Sequence, residues 1–317
     1  MVEYELLKQH IDEFLELKSS YSKLSFYEEI DTYGFKCNFK DGQTDVMIFA
    51  LTHGDEIVGL PIINKILKSL YDSKKYNFAV MLNNIEAYSK QSRFKDFDLN
   101  RSFGKTLSNI RNDAYEFNRA QQIKTAIIKT NPAYIIDLHQ TIEDSVAAFA
   151  VIPEQKNLIQ MANYISSDTP ILSFKQSGFS KIGMTLIEYA NSINIPAIVF
   201  EVGQKGFNPS LTREFENKLV KFIENISLNH SFLSDKPIDY YLIVEEIPHE
   251  PDQSLIAGFK SFQKLALNQQ ITLNTANKPS EVFINKYENS VIIFPRYSQV
   301  KVDEELGLIA EKQTLRE

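Results

Sequence analysis

Apolar residues follow helical spacing at the start of the chain and gather into short runs after it. Residues 3–18 predict an amphipathic surface helix. Short apolar runs predict buried strands at residues 46–51, 78–82, 134–138, 147–152 and 197–202, and the stretches between them predict helices at residues 56–70, 112–129, 155–165, 181–192 and 211–226. Alternating strands and helices predict an α/β layered fold with a mostly parallel or mixed sheet. Ligands are then expected beyond the carboxyl ends of the strands.

The last quarter of the chain has a different pattern. From about residue 233 it is rich in β-branched residues, aromatic residues and turns, as in YYLIVEEI, QITLNT, EVFINKY and SVIIFPRY. We therefore predict a catalytic α/β domain over residues 1–232 and a smaller all-β domain over residues 233–317.

Composition and charge narrow the possible functions. The chain has 317 residues, of which 43% are hydrophobic and 24% charged, as in ordinary globular proteins. The net charge of −7 argues against a nucleic-acid-binding surface over the whole molecule. No apolar run approaches the ~18 residues of a membrane span, and the start lacks a signal-peptide core, so a cytoplasmic protein without a membrane partner is expected. With Cys37 as the only cysteine, any metal must rest on nitrogen and oxygen ligands.

The clearest local motif is HGDE, in which His53 ends an apolar strand and Glu56 follows three residues later. Such a pair at a helix start can direct an imidazole and a carboxylate at one ion. The same spacing occurs at His10 and Glu13, but that pair lies inside the first helix with no strand before it. His10 is therefore interpreted as a surface residue.

Two further strand ends carry polar residues. His139 follows the run YIIDL and would give a third ligand, leaving the fourth zinc position for water. Asp137, on the same face of the strand, could orient a ligand histidine or satisfy a backbone group. Glu201 lies in the run IVFEVG and is a candidate proton acceptor, unless it only forms a salt bridge.

The segment from residue 83 to residue 103 is irregular and follows a predicted strand. It contains Arg93, Asn100 and Arg101, although single arginines are more often ordinary surface residues. Arginine forks bind carboxylates, and one arginine could instead stabilise a developing oxyanion.

Four ordered motifs, THGDE, SRFKDFDLNRSF, DLHQT and FEVGQKG, resemble the succinylglutamate desuccinylase/aspartoacylase family of zinc hydrolases, which are relatives of the zinc carboxypeptidases. The C-terminal segments SVIIFPRYSQV and ELGLIAE are also similar to that family, closer to its desuccinylase branch. The resemblance implies a zinc carboxypeptidase-like fold that binds one zinc ion per chain.

The resemblance also implies a role for each motif residue. The implied zinc ligands are His53, Glu56 and His139, the general base is Glu201, the carbonyl-polarising residue is Arg93, and Asn100 with Arg101 binds a substrate carboxylate. Zinc-activated water would then attack an amide carbonyl, and no acyl-enzyme is needed.

The resemblance has limits. Aspartoacylases carry a further substrate-binding arginine shortly before the base, whereas residues 190–200 contain no basic residue, so aspartate specificity is not implied. Tyr297 lies near the position of the family's C-terminal substrate tyrosine and could equally be a packing residue. Lys205 lies close to Glu201 in the sequence, so its side chain could contact an anionic substrate, and it could equally face water.

The leading hypothesis is a zinc-dependent amidohydrolase that removes an acyl group from a small carboxylated N-acyl amino acid, with a homo-oligomeric assembly left open. One alternative is a zinc carboxypeptidase acting on short peptides, which a β-rich domain over the cleft would disfavour. The other is a non-catalytic carboxylate-binding homologue. Such a homologue is expected to have lost a ligand or the base, whereas this sequence retains the three ligands and the base.

Overall fold

The helices and strands follow one another in mixed order along the chain. The computed structural model describes residues 2–39, 42–73, 75–104, 114–175, 183–226, 232, 234, 236–250, 253–274, 282–297 and 305–316. The helices are α1 (Val2–Tyr21), α2 (Gly59–Tyr71), α3 (Ile85–Ser89), α4 (Tyr115–Thr130), α5 (Lys156–Ile165), α6 (Leu186–Ser192) and α7 (Pro209–Ile226), with a short 3-10 helix at Leu99–Arg101. The strands are β1 (Tyr27–Asp31), β2 (Gly34–Asn38), β3 (Val46–Ala50), β4 (Asn77–Leu82), β5 (Tyr134–Thr141), β6 (Phe149–Pro153), β7 (Ile171–Phe174), β8 (Ala197–Gln204), β9 (Ile238–Ile247), β10 (Gln253–Leu255), β11 (Gln263–Leu265), β12 (Thr272–Asn274), β13 (Ser290–Ile293) and β14 (Gly307–Leu315).

Twelve of these strands form one mixed sheet in the order β1-β2-β4-β3-β5-β8-β6-β7-β9-β14-β13-β11. At its centre β4, β3, β5 and β8 run parallel, so their carboxyl ends lie at one edge of the sheet. Ala50 of β3 pairs with Leu138 of β5, and the next residue, His139, pairs with Glu201 of β8. Residues predicted to be functional from separate parts of the sequence therefore meet at this edge.

Helices cover both faces of the central strands. On β3, Val46, Ile48 and Ala50 face a core shared with α1, α2, α5 and α7, because successive side chains of a strand point to opposite faces. Met47 and Phe49 face a second core, to which α4 and α6 contribute. Buried on both faces, these strands are continuously apolar, as the sequence indicated. The α/β layered fold is confirmed.

The C-terminal strands extend the same sheet. Strand β9 pairs in parallel with β7, and the antiparallel series β9, β14, β13 and β11 continues outward from it. Strands β10 and β12 form a separate two-stranded sheet, and a third apolar cluster fills this region. The strand-rich C-terminal region was expected. The division into domains at residue 233 stays a prediction.

The elements differ from the sequence predictions in several places. Helix α2 begins at Gly59 rather than at Glu56, because residues 53–58 form turns, and α6 begins at Leu186. The segment interpreted as irregular contains α3 and the 3-10 helix. Strands β1, β2, β7, β10, β11 and β14 were not predicted, and the described part of EVFINKY forms only an isolated bridge at Ile284. Within the described ranges, every helix is too short or too polar to cross a membrane.

Candidate metal centre and active site

The HGDE turn is held in place by its neighbours in the chain. Just before it, Leu51 adopts a left-handed φ of 59°, which turns the chain out of β3. A Cβ on Gly54 would lie 2.3 Å from the backbone carbon of Ala87 in α3, so only glycine fits there. The Gly54 N–H donates to the carbonyl oxygen of Arg93 over 3.1 Å. The turn is therefore fixed against the loop that carries Arg93.

Three side chains from two strand ends converge on one point. Glu56 Oε1 lies 2.7 Å from His53 Nδ1, and Glu56 Oε2 lies 2.8 Å from His139 Nδ1. One possible ligand atom from each of the three residues lies within 4.8 Å of the others, and all three residues are buried. Among the described residues, no other group of three histidines, cysteines or carboxylates has this geometry.

The far side of each imidazole is bound by a second carboxylate. His53 Nε2 lies 3.1 Å from Asp98 Oδ1, and His139 Nε2 lies 2.8 Å from Asp137 Oδ2. Thr52 Oγ1 in turn donates to Asp137. An ionised carboxylate only accepts, so each Nε2 would keep its proton toward Asp98 or Asp137, and Nδ1 is the nitrogen of each ring that would offer its lone pair to a metal ion. Carboxylates behind both histidines are the usual support of metal-ligating imidazoles.

Electrostatic attraction holds the three side chains of the cluster together. Burial opposes charge on Glu56, but the His53 and His139 imidazoles hold its pKa well below the usual range. Burial likewise opposes charge on His139, and the carboxylates of Asp137 and Glu56 raise its pKa well above the usual value. Two imidazoles and a carboxylate, already drawn together and backed by acceptors, fit a divalent ion such as zinc.

Glu201 lies beside the cluster on the neighbouring strand. It pairs in register with His139 of β5 and with Phe149 of β6. Burial raises the pKa of Glu201 to about 7, and the Glu56 carboxylate adds to the rise, while His139, His53 and Arg93 oppose it. Its Oε2 is buried and has no hydrogen-bond partner among the described residues. The sequence left open a salt bridge from Glu201. Its Oε2 forms none with any described residue. The carboxylate can accept a proton near neutral pH.

Arg93 reaches the cluster from the loop after α3. Its Nη1 donates to Glu56 Oε1 over 2.9 Å, and its Nη2 lies 3.5 Å from Asp98 Oδ2. Burial would lower the pKa of Arg93, but the Glu56 and Asp98 carboxylates raise it. The guanidinium is thus a positive charge held next to the candidate metal ligands.

Asn100 and Arg101 lie on the 3-10 helix that follows. Asn100 Oδ1 accepts from the backbone N–H of Leu186 over 3.0 Å, and Arg101 Nη1 donates to the Asn100 carbonyl oxygen over 2.8 Å. Burial lowers the pKa of Arg101, and the positive charges of Arg93 and Arg296 add to this, against the Asp98 carboxylate. The two arginines of the motif therefore lie within electrostatic reach of each other.

A residue missed in the sequence organises this loop. Glu116 of α4 is fully buried, and its carboxylate accepts from the consecutive backbone N–H groups of Lys95, Asp96 and Phe97 over 2.6, 3.0 and 3.1 Å. Asn84 Nδ2 also donates to it over 3.2 Å. The carboxylate thereby fixes the segment between Arg93 and the 3-10 helix. A glutamate in the first turn of a helix gives no local signal of this role.

The sequence left open the roles of Lys205 and Tyr297, and both side chains contact other groups of the protein. Lys205 forms an ion pair with Asp55 of the HGDE turn. Tyr297 is 38% exposed, and its hydroxyl donates to the Phe259 and Ile256 carbonyl oxygens over 3.1 and 3.3 Å.

The protein thus has a layered α/β fold with a buried His-Glu-His group at the carboxyl ends of its parallel strands, and sequence comparison places it within a family. Residues 42–228 match the succinylglutamate desuccinylase/aspartoacylase catalytic domain. The chain belongs to the succinylglutamate desuccinylase/aspartoacylase family. This family was expected from the four motifs, and the expectation is confirmed.

Individual relatives show the same relationship. An N-acyl-aromatic-L-amino acid amidohydrolase (carboxylate-forming) of Xenopus tropicalis is 30% identical over 131 residues, covering 39% of this chain and 42% of the relative. An aspartoacylase of the same organism is 34% identical over 135 residues, covering 38% of this chain and 42% of the relative. The matches thus span about two fifths of the length of these curated relatives.

Solved structures share the fold across most of the chain. The succinylglutamate desuccinylase of Chromobacterium violaceum has a TM-score of 0.72 at 17% identity and covers 95% of this chain and 98% of its own. Murine aminoacylase 3 has a TM-score of 0.67 at 18% identity and covers 87% of this chain and 96% of its own. At these identities the likeness concerns the fold, including the C-terminal strand-rich region.

Proposed function

We propose that the protein is a zinc-dependent amidohydrolase that removes an acyl group from a small carboxylated N-acyl amino acid. The observation that carries the proposal is the convergence of His53, Glu56 and His139 beside Glu201 and Arg93 in a chain of this family. The names of the relatives support an amide substrate, since they include an N-acyl amino acid amidohydrolase and an aspartoacylase.

His53 Nδ1, Glu56 and His139 Nδ1 would hold the metal, with Asp98 and Asp137 fixing the two rings. When bound, zinc supplies a Lewis acid that polarises the carbonyl and makes water nucleophilic near neutral pH.

The other residues act on the proton and the charges of the reaction. Glu201, with its pKa near 7, takes a proton from the attacking water and returns it to the leaving amine. Arg93 stabilises the charge that develops on the carbonyl oxygen. Arg101 and Asn100 would bind the substrate carboxylate, which fixes the amide relative to Glu201.

The test is a hydrolysis assay with purified, zinc-loaded protein. N-acetyl and N-succinyl amino acids would be offered beside short peptides with free carboxyl termini, and the Glu201→Gln variant would be the matched control. We expect turnover of one or more N-acyl amino acids, with a rate at least about a hundredfold lower in the variant. Turnover of peptides alone would indicate a carboxypeptidase. Zinc binding without any hydrolysis would indicate a non-catalytic homologue.

A further inference from the structure

Gln140 is a buried amide at the meeting point of three segments. It follows the candidate ligand His139 and is 2% exposed. Its Oε1 accepts from the backbone N–H of Val58 over 3.0 Å, and its Nε2 donates to the carbonyl oxygens of Gln204 and Gly206 over 2.8 and 2.9 Å. Both polar atoms of the side chain are thus engaged.

The two carbonyl groups belong to Gln204, the last residue of β8, and to Gly206 in the loop that follows it. The loop turns sharply, with Gly206 at a φ of +119°, and the Lys205 N–H donates to the Thr141 carbonyl oxygen over 2.9 Å. Gln204 also pairs with Thr141 of β5, and the Lys205 side chain forms the ion pair with Asp55. The two bonds from Gln140 therefore tie the exit of the Glu201 strand to the strand that carries His139.

The other contacts of Gln140 reach the ligand turn. Val58 lies two residues after Glu56, directly before α2, and its N–H would have no acceptor inside that helix. The backbone N–H of Gln140 also donates to Glu56 Oε2 over 3.0 Å. One residue therefore contacts the Glu56 carboxylate, the chain just after it and the chain just after Glu201.

We propose that Gln140 is a positioning residue that sets the Glu201 carboxylate relative to the candidate metal ligands. This inference rests on the proposed function. Without the side-chain bonds, the 204–206 loop and the end of β8 have more freedom, and Glu201 occupies its productive position less often. The main effect is then on kcat, because no contact of Gln140 involves Arg101 or Asn100, the proposed carboxylate-binding residues.

A second amide provides a matched control at the other end of β8. Asn191 of α6 is half-buried, donates to the carbonyl oxygens of Ile187 and Ala197 over 2.8 and 3.2 Å, and accepts from the Ala197 N–H over 3.3 Å. Asn191→Leu and Gln140→Met each remove three side-chain hydrogen bonds with little change in volume. Only Gln140 adjoins the site.

The experiment compares these two variants with the wild type. Measurements are the melting temperature, zinc affinity by competition with a chromogenic chelator, hydrogen exchange of the Lys205 amide, and kcat and KM on the best N-acyl amino acid. We expect both variants to lose similar thermal stability. Only Gln140→Met should speed Lys205 exchange, weaken zinc binding about tenfold and lower kcat about tenfold or more, with KM within about twofold.

The inference is overturned if Gln140→Met matches Asn191→Leu in Lys205 exchange, zinc affinity and kcat. If Gln140→Met does not fold, Gln140→Asn provides the same test, because its amide is one methylene too short to reach both carbonyl groups. If the wild type hydrolyses nothing on the panel, the proposed function fails, while zinc affinity and Lys205 exchange still decide whether Gln140 positions the site.

Discussion

Replacing Glu201 by glutamine should stabilise the metal-free protein at alkaline pH while abolishing its activity. Glu201 is half-buried, its Oε2 is buried with no hydrogen-bond partner among the described residues, and burial raises its pKa from 4.5 to about 7. Glutamine has the same shape and carries no charge at any pH. The variant therefore removes the cost of ionising a buried group while leaving the packing unchanged.

The size of the effect follows from the linkage between protonation and folding. The folded pKa lies about 2.5 above the unfolded one, which corresponds to about 3 kcal/mol. Since the folded pKa is raised, the contribution of Glu201 to stability is fully present below pH 4.5 and is lost as the pH rises through 7. The advantage of Glu201→Gln should thus be about 1 kcal/mol or less at pH 5 and about 3 kcal/mol at pH 8.

The assay is denaturant unfolding of chelator-treated protein at pH 5 and pH 8. Glu16→Gln, at an exposed position of α1, should match the wild type at both pH values. Saturating zinc should shrink the advantage of Glu201→Gln, because a nearby cation favours the carboxylate. If the difference in unfolding free energy between Glu201→Gln and the wild type is the same at pH 5 and at pH 8, the surroundings of Glu201 do not disfavour its charge, and the reasoning is refuted.

Three further substitutions test separate parts of the site. His53→Ala should abolish zinc binding and activity together. His10→Ala, at the other histidine that has a glutamate three residues later, should preserve both. Zinc content after dialysis measures the binding. Arg101→Lys should raise KM for carboxylated substrates about tenfold with kcat within about twofold, because an ammonium cannot donate two parallel hydrogen bonds to a carboxylate as a guanidinium does. Arg213→Lys, on the exposed face of α7, should change neither constant in steady-state kinetics. Glu116→Gln should lower the unfolding free energy by about 2 kcal/mol and expose one or two of the three consecutive N–H groups of the site loop to exchange, since the NH₂ that replaces one carboxylate oxygen cannot accept from them. Unchanged protection of all three would contradict its role.

The central strands and their polar ends could be predicted from the sequence because the signals are local. A strand buried on both faces must be continuously apolar, so β3, β5 and β8 stand out. A histidine or glutamate interrupting such a run, as at His53, His139 and Glu201, is costly unless it has a function or a partner. The structure brings these residues together at one sheet edge.

Other parts depend on contacts distant in sequence. Strand β1, YEEID, is only partly buried and therefore lacks an apolar run. The pairing of β9 with β7 joins the C-terminal strands to the main sheet, and no local pattern specifies such a pairing. Glu116 lies outside the recognised motifs and Gln140 lies inside DLHQT with no role assigned to it there, and the roles of both depend on backbone groups 19 to 82 positions away.

The most direct test of the account is a crystal structure of the zinc-loaded protein with anomalous scattering recorded at the zinc absorption edge. We expect one anomalous peak per chain, bound by His53 Nδ1, Glu56 and His139 Nδ1, with the Glu201 carboxylate facing the remaining position. A peak elsewhere, or no peak at saturating zinc with these three side chains still hydrogen-bonded to one another, would contradict the assignment of a metal centre.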